Sequence, residues 1–400
     1  MARRRTIDLS SSPVPATAAQ PRLGGLSSRI SVMYAAIYLH YGAFGLFIPM
    51  WFSHRGLNPE EIGTLMSLPM FLRILFVAPV SNLADRLQRI REVLLACVVG
   101  AMLIMSFMSF AHVYWQMLLF FTLFSLVWDP LPILADSYAV LAVRTRGLDF
   151  GRMRLWGSLA FVVANVASGS LIGAYSPEVI PWFTAGLLAI PIVPILLLPP
   201  DRELGNGEKG ERVSWRSAFA DRAVVLAMIS TALITSSHVL LYTFGTIQWP
   251  AMGMDGTTIG ILVGVSIAAE IIVLFGAQKL LGKRSPLLLI ALGGVTAVIR
   301  WALTAMHPGL YGIAALQLLN GITGMGVMAG LMLFIAQRID GRMISTVQGI
   351  NAVVLGLTAA LATFGSGYAW KALGYNAYLL AALVAAAGCV PVLLALRKQR

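Results

Sequence analysis

Two neighbouring stretches decide the fold of this chain: PLPILADSY (residues 130–138) and RTRGLDFGRMRLWGS (residues 144–158). Together they predict two apolar helices joined by a short basic turn, whose tip is Thr145. Asp136 lies nine residues before this tip and Arg154 lies nine residues after it. At about 1.5 Å of rise per residue, the two charges reach the same depth on adjacent helices. Because an unpaired carboxylate is costly in apolar surroundings, we expect Asp136 and Arg154 to form a pair.

The composition of the whole chain places this pair in a membrane. Of the 400 residues, 58% are hydrophobic and 12% are charged, and the mean hydropathy is +0.81. Soluble proteins carry roughly twice this charged fraction. The apolar runs are long enough to cross a bilayer, and they lack the two-residue alternation of barrel strands. The sequence therefore predicts an all-α membrane protein. The pair is then either a polar site inside the bundle or an ion pair that only fixes the register of the hairpin.

The apolar pattern divides the chain into twelve predicted transmembrane helices. They cover residues 29–53, 60–83, 91–111, 114–142, 150–174, 179–199, 222–249, 257–281, 286–306, 309–337, 342–370 and 374–396. We expect two six-helix bundles, 29–199 and 222–396, separated by a polar cytoplasmic linker over 200–221. Residues 1–28, rich in Arg, Ser and Pro, are predicted to form a disordered cytoplasmic tail, and residues 397–400 a cytoplasmic C-terminus.

The two predicted bundles repeat one another. RGLNPEEIG (55–63) matches MGMDGTTIG (252–260) at a constant offset of 197 residues. Lys and Arg concentrate in the loops on the side that holds both termini, whereas the opposite loops contain only Arg55 and Lys371. Because positively charged loops stay in the cytoplasm, both termini are expected to be cytoplasmic. Contact of this basic side with anionic lipid accounts for the net charge of +12 without a nucleic-acid partner.

Ionisable side chains inside the predicted spans are few, and each is expected to face protein or a wet cavity. They are Arg73, Asp129, Asp136, Arg154, Glu270 and Arg300, together with His40 and His238. Their positions predict three pairs: Asp136–Arg154, Glu270–Arg300 and Arg73–Asp129. A substrate carboxylate that competes for an arginine leaves an acid that favours taking up a proton, which links proton entry to anion entry. The alternative is that the pairs are static, which is the stronger interpretation for Arg73–Asp129. The two histidines are equally well explained as packing residues.

These charges, with the aromatic residues beside them, form the candidate substrate site. It comprises Asp136, Arg154, Glu270, Arg300, His238, Tyr242, Tyr41 and Trp156. The candidates for carrying a coupled proton are Glu270, Asp136 and Asp129. Arginines between aromatic walls suit a small aromatic carboxylate, although aromatic residues also fill bundles without touching a ligand.

A loop motif predicts a conformational latch on the cytoplasmic side. SNLADRLQR (81–89) is similar to the major-facilitator signature GxxxDRxGR, with Asp85, Arg86 and Arg89 in matching positions and neither glycine kept. By this resemblance, the three residues fasten the two halves together in one state of a transport cycle. No nucleotide-binding loop, metal cluster or catalytic triad is recognisable in the sequence. We therefore expect no ATP drive, no cofactor and no enzymatic activity.

From about residue 30 to residue 396, the chain resembles the major-facilitator branch that contains the phenylpropionate permeases and, more distantly, the lactose permease group. The strongest match is DFGRMRLWGSLAF (149–161). Trp249, Gly253, Ile259, Gly260, Ala269 and Glu270 form the second match. Such transporters consist of two parallel six-helix repeats with a binding site between them near the membrane midplane. The resemblance therefore implies this fold and a transport function.

The same resemblance assigns roles to particular residues. Asp136 and Arg154 fall on the acid and the arginine that hold the sugar in the lactose permease group. Glu270 and Arg300 fall on that group's functional acid of span eight and arginine of span nine. The His and Glu that serve proton coupling in span ten correspond here to Asn320 and Thr323, which do not titrate. Any proton coupling must therefore use another acid.

We predict a secondary transporter of the inner (cytoplasmic) membrane that works by alternating access. Its expected activity is proton symport of a small aromatic or related organic acid, such as a phenylpropionate-like compound. Symport of a sugar or nucleoside and proton-driven export remain open as alternatives. A non-transporting sensor would need a soluble output domain, which the short linker and tails do not supply. The expected partners are the substrate, protons and the lipid bilayer, without nucleic acid, and the chain is expected to act as a monomer.

Overall fold

The computed structural model describes residues 24–87, 89–204, 221–282, 284–339 and 344–397, and for residues 77–87, 202, 275, 277–280 and 344–346 it describes the backbone alone. The helices of the first half are α1 (Gly24–Phe44), α2 (Ile48–His54), α3 (Pro59–Leu87), α4 (Ile90–Met108), α5 (Tyr114–Trp128), α6 (Leu131–Arg146), α7 (Phe150–Ala174), α8 (Val179–Ala189), α9 (Ile192–Leu196) and α10 (Asp201–Leu204). Those of the second half are α11 (Arg222–Ser236), α12 (Val239–Ala251), α13 (Gly256–Leu281), α14 (Leu287–Ala305), α15 (Leu310–Leu318), α16 (Val327–Arg338), α17 (Ile344–Leu373) and α18 (Ala377–Arg397). A π-helical segment, Gly321–Gly326, joins α15 to α16, and a 3-10 turn, Gly374–Asn376, joins α17 to α18.

Several predicted spans consist of two helices with a break between them. Proline explains three of these breaks, because its ring and its missing N–H interrupt a helix. Pro49 lies in the first turn of α2, while Pro130 and Pro191 immediately precede α6 and α9. The break between α11 and α12 contains Ser237 and His238 and no proline. It therefore needs another cause, which the polar contacts of these two side chains supply.

Ten stretches of the described residues are long and apolar enough to cross a membrane. They agree with the prediction of an all-α membrane protein, but they do not establish its count of twelve spans. The stretch Val347–Arg397 runs through both α17 and α18, and α3 is not among the ten. The number twelve therefore stays a prediction.

The two halves of the chain pack against each other through the helix pairs α3 with α17, α7 with α13 and, less extensively, α2 with α12. Within the first half α1 packs on α7 and α4 on α5, while within the second half α18 packs on both α11 and α14. The predicted boundaries of the two bundles remain predictions.

Close crossings of glycine backbone join the halves at one end of the bundle. We name this end the distal face; it carries the loops at 55–58, 175–178 and 252–255, whereas the linker face carries Leu204 and Asp221, which flank the centre of the predicted 200–221 linker. A Cβ added to Gly63 of α3 would lie 2.9 Å from the Cα of Gly367 in α17. Gly169 of α7 and Gly256 of α13 approach each other so closely that neither leaves room for a Cβ. The helices therefore touch backbone to backbone at both crossings.

Polar contacts reinforce the join at the distal face. Lys371 Nζ lies 2.7 Å from Glu60 Oε2, and Thr246 Oγ1 donates to the Leu46 carbonyl at 2.7 Å. At the linker face, the polar side-chain contacts among the described residues stay within one half. Examples are Arg29 with the Leu197 carbonyl and Arg338 with Asp221. In the described part of the chain, the halves are therefore fastened at the distal face and not at the linker face.

Candidate functional site

The first half brings together Asp136 of α6 and Arg154 of α7. Arg154 Nε lies 3.6 Å from Asp136 Oδ1, an ion pair rather than a close hydrogen bond. Tyr34 donates its hydroxyl hydrogen to Asp136 Oδ1 at 2.7 Å, and Arg154 Nη2 donates to the Tyr38 hydroxyl. The pair predicted by counting residues from Thr145 is therefore present, and two tyrosines of α1 hold it from the other side.

The Arg154 guanidinium also lies over aromatic rings and remains partly open. Its Cζ is 4.0 Å from the centroid of the Tyr38 ring and 5.4 Å from that of Tyr34. Such cation–π contacts are each worth about 0.5–2 kcal/mol. The side chains of Arg154 and Asp136 keep 30% and 42% of their exposure. This arginine is therefore fixed in orientation while part of its surface stays free for a ligand.

Aromatic rings extend this cluster along α1 and α5. The Tyr41 ring lies 5.4 Å from Tyr38 and 4.6 Å from Trp128, measured between centroids. His40, the preceding residue of α1, is fully buried with its ring 4.2 Å from Trp128 and 5.0 Å from Phe44. Neither ring nitrogen of His40 has a hydrogen-bond partner among the described residues. His40 thus packs among aromatic rings, whereas Tyr41 borders the Asp136–Arg154 cluster through Tyr38.

The second half builds a different arrangement around Arg300 of α14, which is 1% exposed. Arg300 Nη1 donates to Asn320 Oδ1 at 2.6 Å, and Nη2 donates to Gln317 Oε1 at 2.6 Å. Asn320 Nδ2 then donates to Glu270 Oε1 of α13 at 2.6 Å. Glu270 and Arg300 thus belong to one network, but the predicted direct ion pair is wrong. The amide of Asn320 lies between them.

His238 joins the same network from the break between α11 and α12. Its Nδ1 lies 3.1 Å from the Ile234 carbonyl and its Nε2 lies 2.9 Å from Thr323 Oγ1. Since a carbonyl only accepts, the hydrogen is assigned to Nδ1 and Nε2 accepts from Thr323. The Thr323 oxygen in turn accepts from Arg300 Nη1 at 3.2 Å. These bonds, with that from Trp301 Nε1 to Ser237 Oγ at 2.8 Å, account for the break without proline.

Tyr242 and Trp156, the other two predicted site residues, are placed differently. Tyr242 is 42% exposed, its ring centroid lies 6.2 Å from that of His238, and it lies within electrostatic range of the Glu270 carboxylate. It therefore borders the network of the second half. Trp156 is 52% exposed, and no contact among the described residues ties it to either cluster.

The predicted pair Arg73–Asp129 does not form a salt bridge among the described residues. Asp129 is close enough to Arg73 for the two charges to interact, but Arg73 is exposed on α3. Asp129 occupies the turn between α5 and α6, not the face of one continuous helix as the sequence count assumed. The direct pair was therefore a wrong prediction.

Of the predicted latch, Asp85 and Arg86 lie outside the residues whose side chains the structure describes. Arg89 is exposed and immediately precedes α4. The first N–H groups of α4, those of Ile90 and Arg91, are bound by the Asp201 carboxylate of α10. Burial raises the pKa of Asp201 above its ordinary value, although these two N–H groups act in the opposite direction.

Sequence reasoning missed Tyr34, Tyr38 and Gln317, which contact the charged side chains of the two clusters. Tyr34, Tyr38 and Tyr41 recur at intervals of four and three residues, the period of one helix face. Gln317, Asn320 and Thr323 recur every three residues in the same way. Both periods were visible in the sequence and signal a polar or aromatic face turned toward the buried charges.

The fold and these two polar clusters define a polytopic membrane transporter built of two packed halves. The chain belongs to the MFS_1 like family, whose model matches residues 28–380. It is 27% identical over 361 residues to a probable 3-phenylpropionic acid transporter of Escherichia coli K12, covering 89% of this chain and 94% of that protein. It is 25% identical to a maltose permease of Geobacillus stearothermophilus, covering 94% and 97%.

The crystal structure of the nucleoside transporter NupG matches the fold with a TM-score of 0.78 at 16% identity. The match covers 94% of this chain and 99% of that one. The predicted resemblance and the all-α membrane fold are therefore confirmed. The relatives named here are transporters, and the chain is a multi-pass membrane transporter that handles a small molecule.

Proposed function

We propose that the protein is a proton-coupled symporter of a small aromatic or related organic acid in a bacterial inner membrane. It works by alternating access, with both termini and the linker face in the cytoplasm. The likeness to a probable 3-phenylpropionic acid transporter supports this substrate class, and the basic loops support this orientation.

The observation that carries the proposal is the difference between the two arginines. Arg300 is closed off by Asn320 and Gln317 and has almost no exposed surface. Arg154 donates to the Tyr38 hydroxyl, lies at ion-pair distance from Asp136, and keeps about a third of its side chain exposed. A substrate carboxylate therefore binds Arg154, where a planar guanidinium offers two parallel donors. The tyrosines of α1 receive its aromatic ring.

Charge balance supports the coupling to protons. The Asp136–Arg154 cluster and the Glu270–Arg300 network each contain one acid and one base, so the empty site is close to neutral. A bound carboxylate adds one uncompensated negative charge in a low-dielectric environment, which is costly. Protonation of Glu270 removes that charge. The hydrogen bond from Asn320 survives, because a neutral carboxyl group still accepts through its carbonyl oxygen.

The state of the bundle is consistent with alternating access. The halves are fastened at the distal face by the Gly63–Gly367 and Gly169–Gly256 crossings. In the proposed orientation, these crossings close the side of the bundle that faces away from the cytoplasm.

Uptake into proteoliposomes tests the proposal. With an imposed inward proton gradient, we expect accumulation of radiolabelled 3-phenylpropionate at least tenfold above that without the gradient. Asp136→Asn and Arg154→Gln are expected to abolish uptake while the protein remains folded and inserted. Unchanged uptake in both variants would reduce the pair to a structural role. Failure of any proton gradient to drive accumulation of the tested solutes would contradict symport.

Sugar symport is the second candidate, because Asp136 offers a half-exposed carboxylate that accepts hydrogen bonds from hydroxyl groups. The likeness to a maltose permease supports it. The same proteoliposomes supplied with maltose, lactose and uridine separate the two candidates. Gradient-driven uptake of a sugar, without uptake of 3-phenylpropionate, would favour this second function.

A further inference from the structure

The side chain of Asn320 lies between the acid and the base of the second half. It accepts from Arg300 Nη1 and donates to Glu270 Oε1, both at 2.6 Å. Asn320 is buried, so bulk water does not compete for either bond. A primary amide accepts through its oxygen and donates through its nitrogen at the same time, whereas an ionised carboxylate only accepts. The residue type at position 320 therefore determines whether Glu270 faces a neutral hydrogen-bond donor or a second negative charge.

The main chain that follows Asn320 brings this amide to Glu270. Gly321–Gly326 is a π-helical turn, a feature that appears in α-helices frequently at functional sites. A Cβ on Gly324 would lie 3.3 Å from Glu270 Oε1, and a Cβ on Gly321 would collide with the carbonyl oxygen of Ala269. These glycines let the segment approach α13 beside the carboxylate.

We propose that Asn320 is a positioning residue that sets the pH range over which Glu270 exchanges its proton. This inference rests on the proposed role of Glu270 as the proton carrier. A carboxylate in direct contact with Arg300 would be held in its charged form, and the strength of that attraction falls with distance. The interposed amide keeps the guanidinium one side chain away, yet it still donates one hydrogen bond to the acid. Tyr242 of α12 also lies within electrostatic range of Glu270, and its hydroxyl is neutral. Glu270 therefore releases and regains its proton without first breaking an ion pair.

Gln317 offers a matched comparison within the same network. It also accepts from Arg300 at 2.6 Å, but through the other terminal nitrogen, Nη2. Its described hydrogen bond is to Arg300 and not to Glu270. Asn320→Asp and Gln317→Glu are both nearly isosteric, and each adds one carboxylate in contact with the same guanidinium. They differ in that only the first places the new charge against Glu270.

Infrared difference spectroscopy of the protein in liposomes without substrate tests the inference. The band of the protonated Glu270 carboxyl group is assigned by its loss in Glu270→Gln, in the native background and in each variant. Because a neighbouring like charge favours the protonated form, Asn320→Asp should raise the pH of half-titration of this band by about one pH unit or more. Gln317→Glu should raise it by less than a third of that amount.

Equal shifts in the two variants would overturn the proposal, because neutralising Arg300 would then explain both. An unchanged midpoint in Asn320→Asp would also overturn it. So would the absence of any Glu270 band that titrates, because the acid would then exchange no proton in the resting protein. If the band shifts as expected but Glu270→Gln still accumulates substrate with the proton gradient, Glu270 is not the proton carrier. That outcome contradicts the proposed coupling role of Glu270, while proton symport and the effect of Asn320 on Glu270 both stand.

Discussion

At the scale of single residues, the two arginines of the bundle differ in what binds them. Arg300 is surrounded by neutral amides and a hydroxyl group, which satisfy its donors without cancelling its charge. Arg154 has an acid at ion-pair distance and tyrosines against its plane. The contacts of Arg300 hold its charge in the interior, whereas those of Arg154 leave part of its guanidinium free to bind a substrate. Substitutions around Arg154 should therefore act on substrate affinity.

Tyr38→Phe is expected to raise the KM of substrate uptake by about tenfold, since it removes a hydrogen bond to a charged group while keeping the ring. The maximal rate should change less than twofold, because the Arg154–Asp136 ion pair remains. Concentration-dependent uptake in proteoliposomes measures both constants. Tyr311→Phe, on an exposed tyrosine of α15, is the control and should leave them unchanged. A fall in the maximal rate with an unaltered KM would contradict a role for Tyr38 in holding Arg154 for the substrate.

At the scale of helices, the linker face of the second half is fastened by Asp221. Its carboxylate accepts from the N–H groups of Ala223 and Val224 at the start of α11, and it lies 2.9 Å from Arg338 Nε at the end of α16. Burial acts to raise the pKa of Asp221, but Arg338 and the two N–H groups outweigh burial and lower it below the ordinary value. The carboxylate therefore stabilises the fold when it is ionised.

A lowered pKa gives this stabilisation a definite pH dependence. The contribution is complete above the ordinary pKa of an aspartate and is lost as the pH falls through the lower pKa of the folded state. Asp221→Asn should lower the Tm of the detergent-purified protein at pH 7, and this difference should shrink as the solution is acidified below about pH 4. Thermal unfolding of both proteins across this range provides the measurement. A difference in Tm that persists unchanged in acid would contradict the assignment.

The sequence predicted where the buried charges lie along the helices but only one of their three pairings. Counting from Thr145 placed Asp136 and Arg154 at one depth, because α6 and α7 are regular from that turn to the charges. The same count failed for Glu270 and Arg300, because no residue count reveals that Asn320 enters between them from a π-helical segment. It failed for Asp129, because the chain breaks at Pro130. The depth of each charged residue followed from regular helix geometry, whereas its contacts depended on irregular backbone that a residue count does not reveal.

At the scale of the whole molecule, the proposed site binds one negative charge and one proton together. Transport of a monocarboxylate should therefore be electroneutral. We expect a potassium diffusion potential set with valinomycin to change the rate of 3-phenylpropionate uptake less than twofold, while an imposed pH difference changes it at least tenfold. Uptake that follows the membrane potential would contradict one-to-one coupling.

The bond from Asp201 to the start of α4 determines where the chain can be cut into two fragments. Because its carboxylate binds the N–H groups of Ile90 and Arg91, the first turn beyond α9 belongs structurally to the first half. Asp221, which caps α11, belongs in the same sense to the second. Two separately synthesised fragments should therefore reassociate into an active carrier when the cut falls after Leu204. A cut placed before Asp201 would leave α4 without the partner of its first turn.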